Sequence, residues 1–167
     1  MLHSILILII TIFSVPGNWK TYTDHVNHYT MNYPENWVQQ FTSNTLMFLS
    51  PREDDKDLFQ ENVNLMLQDL SNQSMSLEQY TELSQKQTMD HIDSSAIISL
   101  KNATIEGQQA KEFIYNLSYH ERNLKVKQYW FIKDNIAYVF TYTAEQSQFS
   151  NYESTAMEMI RSFKFVK

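Results

Sequence analysis

Hydrophobic and polar positions alternate with a period of two through most of the segment from Lys111 to Tyr142. Phe113, Tyr115, Leu117 and Tyr119 fall on one face, Val126, Gln128, Trp130 and Ile132 on the next, and Ile136, Tyr138, Phe140 and Tyr142 on a third. That period marks strands with one face in a core and the other toward water. The breaks at Glu121-Arg122-Asn123 and Lys133-Asp134-Asn135 are short and polar, so the three strands should form an antiparallel meander. Upstream, Tyr29, Met31 and Tyr33 alternate as far as Pro34, Leu46 to Leu49 is a short apolar strand stopped by Ser50-Pro51, and Val63, Leu65 and Leu67 resume the pattern. Ile97 to Ile105 and the segment from Ala110 onward read as a strand pair meeting at Glu106-Gly107, where glycine can take φ > 0.

Two helical stretches interrupt the strands. Ser76 with Gln79 three residues on has the spacing of a capping box. The stripe Leu77, Tyr80, Ser84 and Gln87 that follows is weakly apolar, which predicts a half-docked, exposed helix. Ser150 and Glu153 suggest a second capping box before the stripe Phe149, Tyr152, Ala156, Met159, Ile160 and Phe163. That stripe has near-ideal helical spacing and predicts a docked helix. The pattern as a whole is α+β, a central antiparallel β-sheet with helices.

The chain has 167 residues, enough for one domain with a substantial core. Glycine occurs only at Gly17 and Gly107, too far apart for a phosphate cradle. The net charge of −6 and the scattered lysines leave no basic footprint for nucleic acid. With no cysteine there is no disulfide, thiolate nucleophile, Cys-ligated metal or lipid-anchor site.

Ile5 to Val15 is apolar apart from Thr11 and Ser14 and is closed by Pro16-Gly17. A run this short suits the core of a secretory signal peptide better than a membrane span. The expected organisation is therefore a signal peptide over residues 1–17 and a single domain over 18–167, exported to the periplasm or secreted. A buried first strand and a retained membrane anchor are the other readings.

Seven segments occur in an order that adds a family resemblance. They are Asn32-Tyr33-Pro34-Glu35-Asn36-Trp37, Phe48-Leu49-Ser50-Pro51, Phe59-Gln60-Glu61-Asn62-Val63-Asn64, Ser76-Leu77-Glu78-Gln79-Tyr80, Gly107-Gln108-Gln109-Ala110, Ala137-Tyr138-Val139-Phe140-Thr141-Tyr142 and Ile160-Arg161-Ser162-Phe163. Together they resemble the PsbP-like superfamily, the Mog1/PsbP fold, over nearly the whole of the expected domain. One departure is Asn36, where such proteins often carry glycine; asparagine tolerates the left-handed conformation. The resemblance implies an α/β/α sandwich, with helices flanking the sheet. It also implies a non-catalytic binding or assembly module that holds a protein partner.

Candidate chemistry is sparse. His25 and His28 are three apart, which would suit a metal on a helix, but on a strand they face opposite sides. His91 and His120 are isolated. The acidic loop 53–61, with Glu53, Asp54, Asp55, Asp57 and Glu61, lacks the EF-hand pattern. It reads as a solvated loop, the alternative being a metal-dependent or hydrolytic envelope enzyme that uses it. No serine sits in a nucleophile-elbow motif. No catalytic, cofactor or metal residue is assigned. Asn72, Asn102 and Asn116 head glycosylation sequons, relevant in a eukaryotic secretory pathway.

The excess of aromatics, ten Tyr, ten Phe and three Trp, has two readings. Either they fill layers on both sides of the sheet, or an exposed ring at Tyr129 or Trp130, which point to opposite faces, marks a docking surface. If the leader is cleaved as expected, N-terminal sequencing of protein from its native host should begin near Asn18. Intact Met1 in a soluble cytoplasmic fraction would contradict export.

Overall fold

The computed structural model describes residues 18–42, 44–93 and 96–167. The expected signal peptide, residues 1–17, lies outside the described residues. Ten strands and two helices follow in the order β1 (Trp19–Asp24), β2 (Tyr29–Pro34), β3 (Val38–Thr42), β4 (Thr45–Leu49), β5 (Asn62–Asp69), α1 (Leu77–Met89), β6 (Ile97–Ile105), β7 (Gln108–Tyr119), β8 (Arg122–Lys133), β9 (Ile136–Glu145), α2 (Phe149–Arg161) and β10 (Lys164–Phe165).

The strands form two sheets where the sequence pattern suggested one. Seven are ordered β3-β4-β5-β9-β8-β7-β6, and a separate three-stranded sheet is ordered β1-β2-β10, with all pairings antiparallel. The meander β7-β8-β9 forms as expected, and β5 returns to pair with β9. The connections β6–β7, β7–β8 and β8–β9 are two-residue loops with positive φ at both positions: Glu106-Gly107, His120-Glu121 and Asp134-Asn135. This is type I′ geometry, whose twist matches that of the flanking strands. Two of the turns therefore start one residue away from the predicted breaks. Asn36 is not among the residues with positive φ, so the left-handed role expected of it is not used.

β9 holds the molecule together because both of its faces are buried. Tyr138, Phe140, Tyr142 and Ala144 enter one apolar cluster, while Ala137 and Val139 enter another. The first cluster also takes Tyr29 and Met31 from the small sheet, Phe48 and Leu65 from β4 and β5, and Phe149, Ala156, Met159 and Ile160 from α2. Phe163 sits at its centre, with ring centroids 5.1 Å from Phe140 and 5.2 Å from Tyr29. The second cluster gathers Phe113, Tyr115, Val126 and Trp130 with Tyr80 of α1.

α1 carries the predicted capping box, with Ser76 and Gln79 bonding reciprocally. α2 does not carry the second one. It starts at Phe149, its N-cap is Gln148, and no side chain caps it. The carboxylate of Glu153 instead meets Lys127 of β8 at 2.9 Å, so the pull of the sheet outweighs a local cap. His25 and His28 lie in the turn between β1 and β2 rather than on a strand. The periodicity missed β1, β3 and β10, whose burial patterns show no clean alternation.

The expected stripe overruns the helix: α2 ends at Arg161, and Phe163, fully buried, lies in the link to β10, while Glu158 on α2 is exposed. Phe163→Ala should cost about 3–5 kcal/mol through lost transfer energy plus a cavity. Glu158→Ala should stay within roughly 0.5 kcal/mol. Urea melts of both variants measure the difference; equal small losses would mean that the segment linking α2 to β10 is not docked.

Candidate functional site

The helix α1 is too short and too polar to close the face it lies on. Its first turns are pinned. Thr81 donates from Oγ1 to the Leu77 carbonyl (2.6 Å) and accepts from Trp130 Nε1 (2.9 Å), while the Tyr80 hydroxyl donates to Gln68 Oε1 (2.9 Å). Beyond Thr81 the groove is walled by the half-buried Ser84 and Thr88 and the exposed Gln87 and His91, too small or too polar to fill the space, and only Ile92, past the helix end, packs against the apolar cluster. A groove of about 800 Å³ remains between them and the aromatic floor of β7 and β8.

Tyr115, Leu117, Tyr119, Trp130, Val139 and Met66, with Ile92 opposite, give this groove its apolar surface, and Gln68 and Gln128 add amides. None of its lining residues is Asp, Glu, Lys or Arg, although the chain carries 19 acidic and 13 basic residues. Tyr115 is 9% exposed, and its hydroxyl makes no hydrogen bond among the described residues. Burial alone pushes its pKa up to about 12. Its ring is buried, but its hydroxyl is reached by solvent. Here it opens on the groove, where a bound group can supply the missing bond.

Neither ring singled out from the sequence is exposed. Trp130 is fully buried and Tyr129 half-buried against the opposite cluster. Most of the aromatic excess is therefore core. The useful signal was the weak stripe of α1, which correctly predicted a half-docked helix; the unpaired phenol left no trace in the sequence.

The acidic loop folds on itself. Asp54 Oδ1 accepts from the backbone N–H of Lys56 (2.7 Å) and Asp57 (3.0 Å), and Asp57 Oδ1 accepts from Phe59 N–H (2.9 Å). Glu53 accepts from Gln148 Nε2 (3.1 Å) and the Tyr152 hydroxyl (3.2 Å), which ties the loop to the start of α2. Among the described residues no group of three His, Asp or Glu side chains converges as a metal site would require. His91 lies at the groove rim, and His120 packs on the Tyr119 ring at 4.2 Å. Asn72 and Asn102 are exposed and Asn116 is half-buried.

Sequence reasoning missed Glu112. This buried carboxylate on β7 accepts from the Tyr129 hydroxyl, and its Oε1 faces Lys101 Nζ at 2.9 Å in an ion contact without hydrogen-bond geometry. Lys127 Nζ lies 3.6 Å from its other oxygen and 2.9 Å from Glu153 of α2. Burial raises its pKa, but the Tyr129 bond and the two lysines outweigh that, so it stays below the usual glutamate value. The cluster fastens α2 to three strands.

The fold, a mixed α/β unit with two antiparallel sheets and two helices, is that of the Mog1/PsbP superfamily. The profile of the family described as PsbP-like protein matches residues 12–165. The chain belongs to the PsbP-like family. It resembles the cyanobacterial PsbP (CyanoP) of Synechocystis sp. PCC 6803, with 15% identity and a TM-score of 0.61, over 92% of this chain and 95% of that one. It also resembles the Ran-binding protein Mog1p of Saccharomyces cerevisiae, with 13% identity and a TM-score of 0.58, over 90% and 97%. A protein of Bacteroides thetaiotaomicron VPI-5482 aligns with 89% of this chain at 13% identity and a TM-score of 0.57, and there the chain spans 48%, about half, of its counterpart. At these identities the likeness is one of fold. No curated protein matches the sequence.

Glu61, at the end of the acidic loop, is buried beside Ser50. Burial raises its pKa, partly offset by backbone N–H donors and reinforced by Asp57 and Glu53. The folded state then holds this proton more tightly than the unfolded chain. Stability contributed by protonated Glu61 is therefore full below the ordinary glutamate value and is lost as pH rises through the raised one. Glu61→Gln should gain stability relative to wild type over that same rise. Urea melts on both sides of the glutamate range test this; a constant difference between the two proteins would refute it.

Proposed function

We propose that this protein is an exported, non-catalytic binding module that docks an uncharged, apolar segment of a protein partner in the groove beside α1. The observation that carries this reading is the groove's lining, apolar and free of Asp, Glu, Lys and Arg, with the Tyr115 phenol unpaired at its floor. A charged segment would be desolvated there without a counterion, whereas a backbone or side-chain carbonyl could accept from Tyr115. Tyr and Trp suit such a surface because they give large contact areas at low entropic cost.

We read the architecture as an α/β/α sandwich, with α2 and the small sheet over one face of the seven-stranded sheet and α1 over the other. Export rests on the apolar leader Ile5–Val15. Among the described residues no helix is long and apolar enough to cross a membrane. Membership of the PsbP-like family supports a binding role, and one structural relative, Mog1p, is described as Ran-binding. The acidic loop offers an enzyme little, since Glu53, Asp54 and Asp57 already bond to nearby backbone and side chains.

Gln87→Lys places a charge on the exposed wall of the groove. In pull-downs from the native envelope fraction it should reduce capture of the specific partner at least fivefold. Gln109→Lys, exposed on β7 outside the groove, should not. Tyr115→Phe should weaken capture while leaving the thermal melt unchanged or slightly raised, because no internal hydrogen bond is lost. Equal capture by all four proteins would rule the groove out.

A further inference from the structure

The seven-stranded sheet ends on a strand that lacks the usual protection of an edge. Native edges are blunted by charge, proline, bulges or brevity. Three of the four edges here are. β1 carries Lys20, paired with Glu35 at 3.2 Å; β6 has a register irregularity between Ile97 and Ser99 and exposes Lys101; β10 is two residues long. β3 has none of these devices. Its residues Val38-Gln39-Gln40-Phe41-Thr42 are all exposed, with Val38 at 50% and Phe41 at 59%, and they pair with β4 in unbroken register. The whole stretch from Asn36 to Ser50 contains no Asp, Glu, Lys or Arg.

We infer that β3 pairs antiparallel with β3 of a second copy of this chain, joining two seven-stranded sheets across a two-fold axis beside Gln40. Two features favour a second copy over another occupant. β3 itself carries no charge, so no like charges meet across the strand pair, while the net charge of −6 and the nearby Asp24, Asp69 and Asp134 keep the association weak. The strand also suits self-pairing. An axis beside Gln40 sets Gln39 against Phe41 and Val38 against Thr42. Residues whose backbone groups point outward then meet residues whose groups also point outward, and the two exposed apolar side chains gain cover. The contact closes on itself, so it ends at a dimer. A five-residue edge is small beside standard interfaces, so association is weak and increases with concentration.

Sedimentation equilibrium of the full chain, up to about 1 mM protein, tests this. The expected result is a monomer–dimer equilibrium that strengthens with added salt, as repulsion between like-charged copies is screened. Gln40→Lys sets two cations opposite each other on the axis and should weaken dimerisation at least tenfold. An equimolar mixture of Gln40→Lys and Gln40→Glu should recover it as a mixed dimer. Gln109→Lys, exposed on another strand, should leave it unchanged. Circular dichroism melts superimposable on wild type establish that the Gln40 variants are folded. A chain monomeric at every concentration, assembly beyond a dimer, or a Gln40→Lys variant that associates as wild type does would each overturn the inference.

Discussion

A strand with apolar residues packed on both faces imposes the layout of this molecule. β9 lies between β5 and β8 and places Tyr138, Phe140 and Tyr142 on one side and Ala137 and Val139 on the other, in two separate apolar clusters. Each face must be covered, because apolar area left in water costs about 25 cal/mol per Å². The large residues point toward the face where α2, the small sheet and Phe163 arrive. The small ones point toward α1, which brings only Tyr80 and Thr81 to full burial. Within β9 the larger side chains lie on the more heavily covered side, while on the other side Phe113, Tyr115 and Trp130 of the neighbouring strands fill much of the layer themselves.

This asymmetry leaves the groove where it is. The α2 face is closed by apolar packing and by the charged contacts of Glu112, Lys127 and Glu153. Lys125 adds a cation over the Phe149 ring at 4.3 Å. The α1 face relies on two hydrogen bonds near one end of the helix, from Trp130 to Thr81 and from Tyr80 to Gln68. Beyond them the next apolar side chain packed against the cluster is Ile92, past the end of α1. The space that remains is fixed by the composition of α1, with Ser84, Gln87, Thr88 and His91 standing where a docked helix would carry Leu or Ile.

The same physics explains what could be read from the sequence. β7, β8 and β9 were legible because each sets large apolar residues at alternate positions. α1 and its partial docking were legible because its stripe is weak. β1 and β3 were not, since their form comes from neighbours that pair with them rather than from burial of their own side chains. The capping box at Ser150 failed because Glu153 has a stronger partner 26 residues earlier, in Lys127. Glu112 stands in the polar register of β7 and reads as solvent-facing; only the arrival of α2 buries it. The Tyr115 phenol is hidden for a similar reason, as an unpaired hydroxyl is a property of what surrounds it.

The Glu112 cluster also constrains how such a chain can change over time. Its members come from β6, β7, β8 and α2, and removing Glu112, Lys127 or an outer partner takes one of two counterions from a buried charge, which costs stability. Replacing the whole set with apolar residues of similar volume can be neutral. Single steps through the cluster therefore carry a cost that concerted ones avoid. Descendants of this sequence should keep Lys101, Glu112, Lys127, Tyr129 and Glu153 together or exchange them together, as one inherited unit spread over four elements.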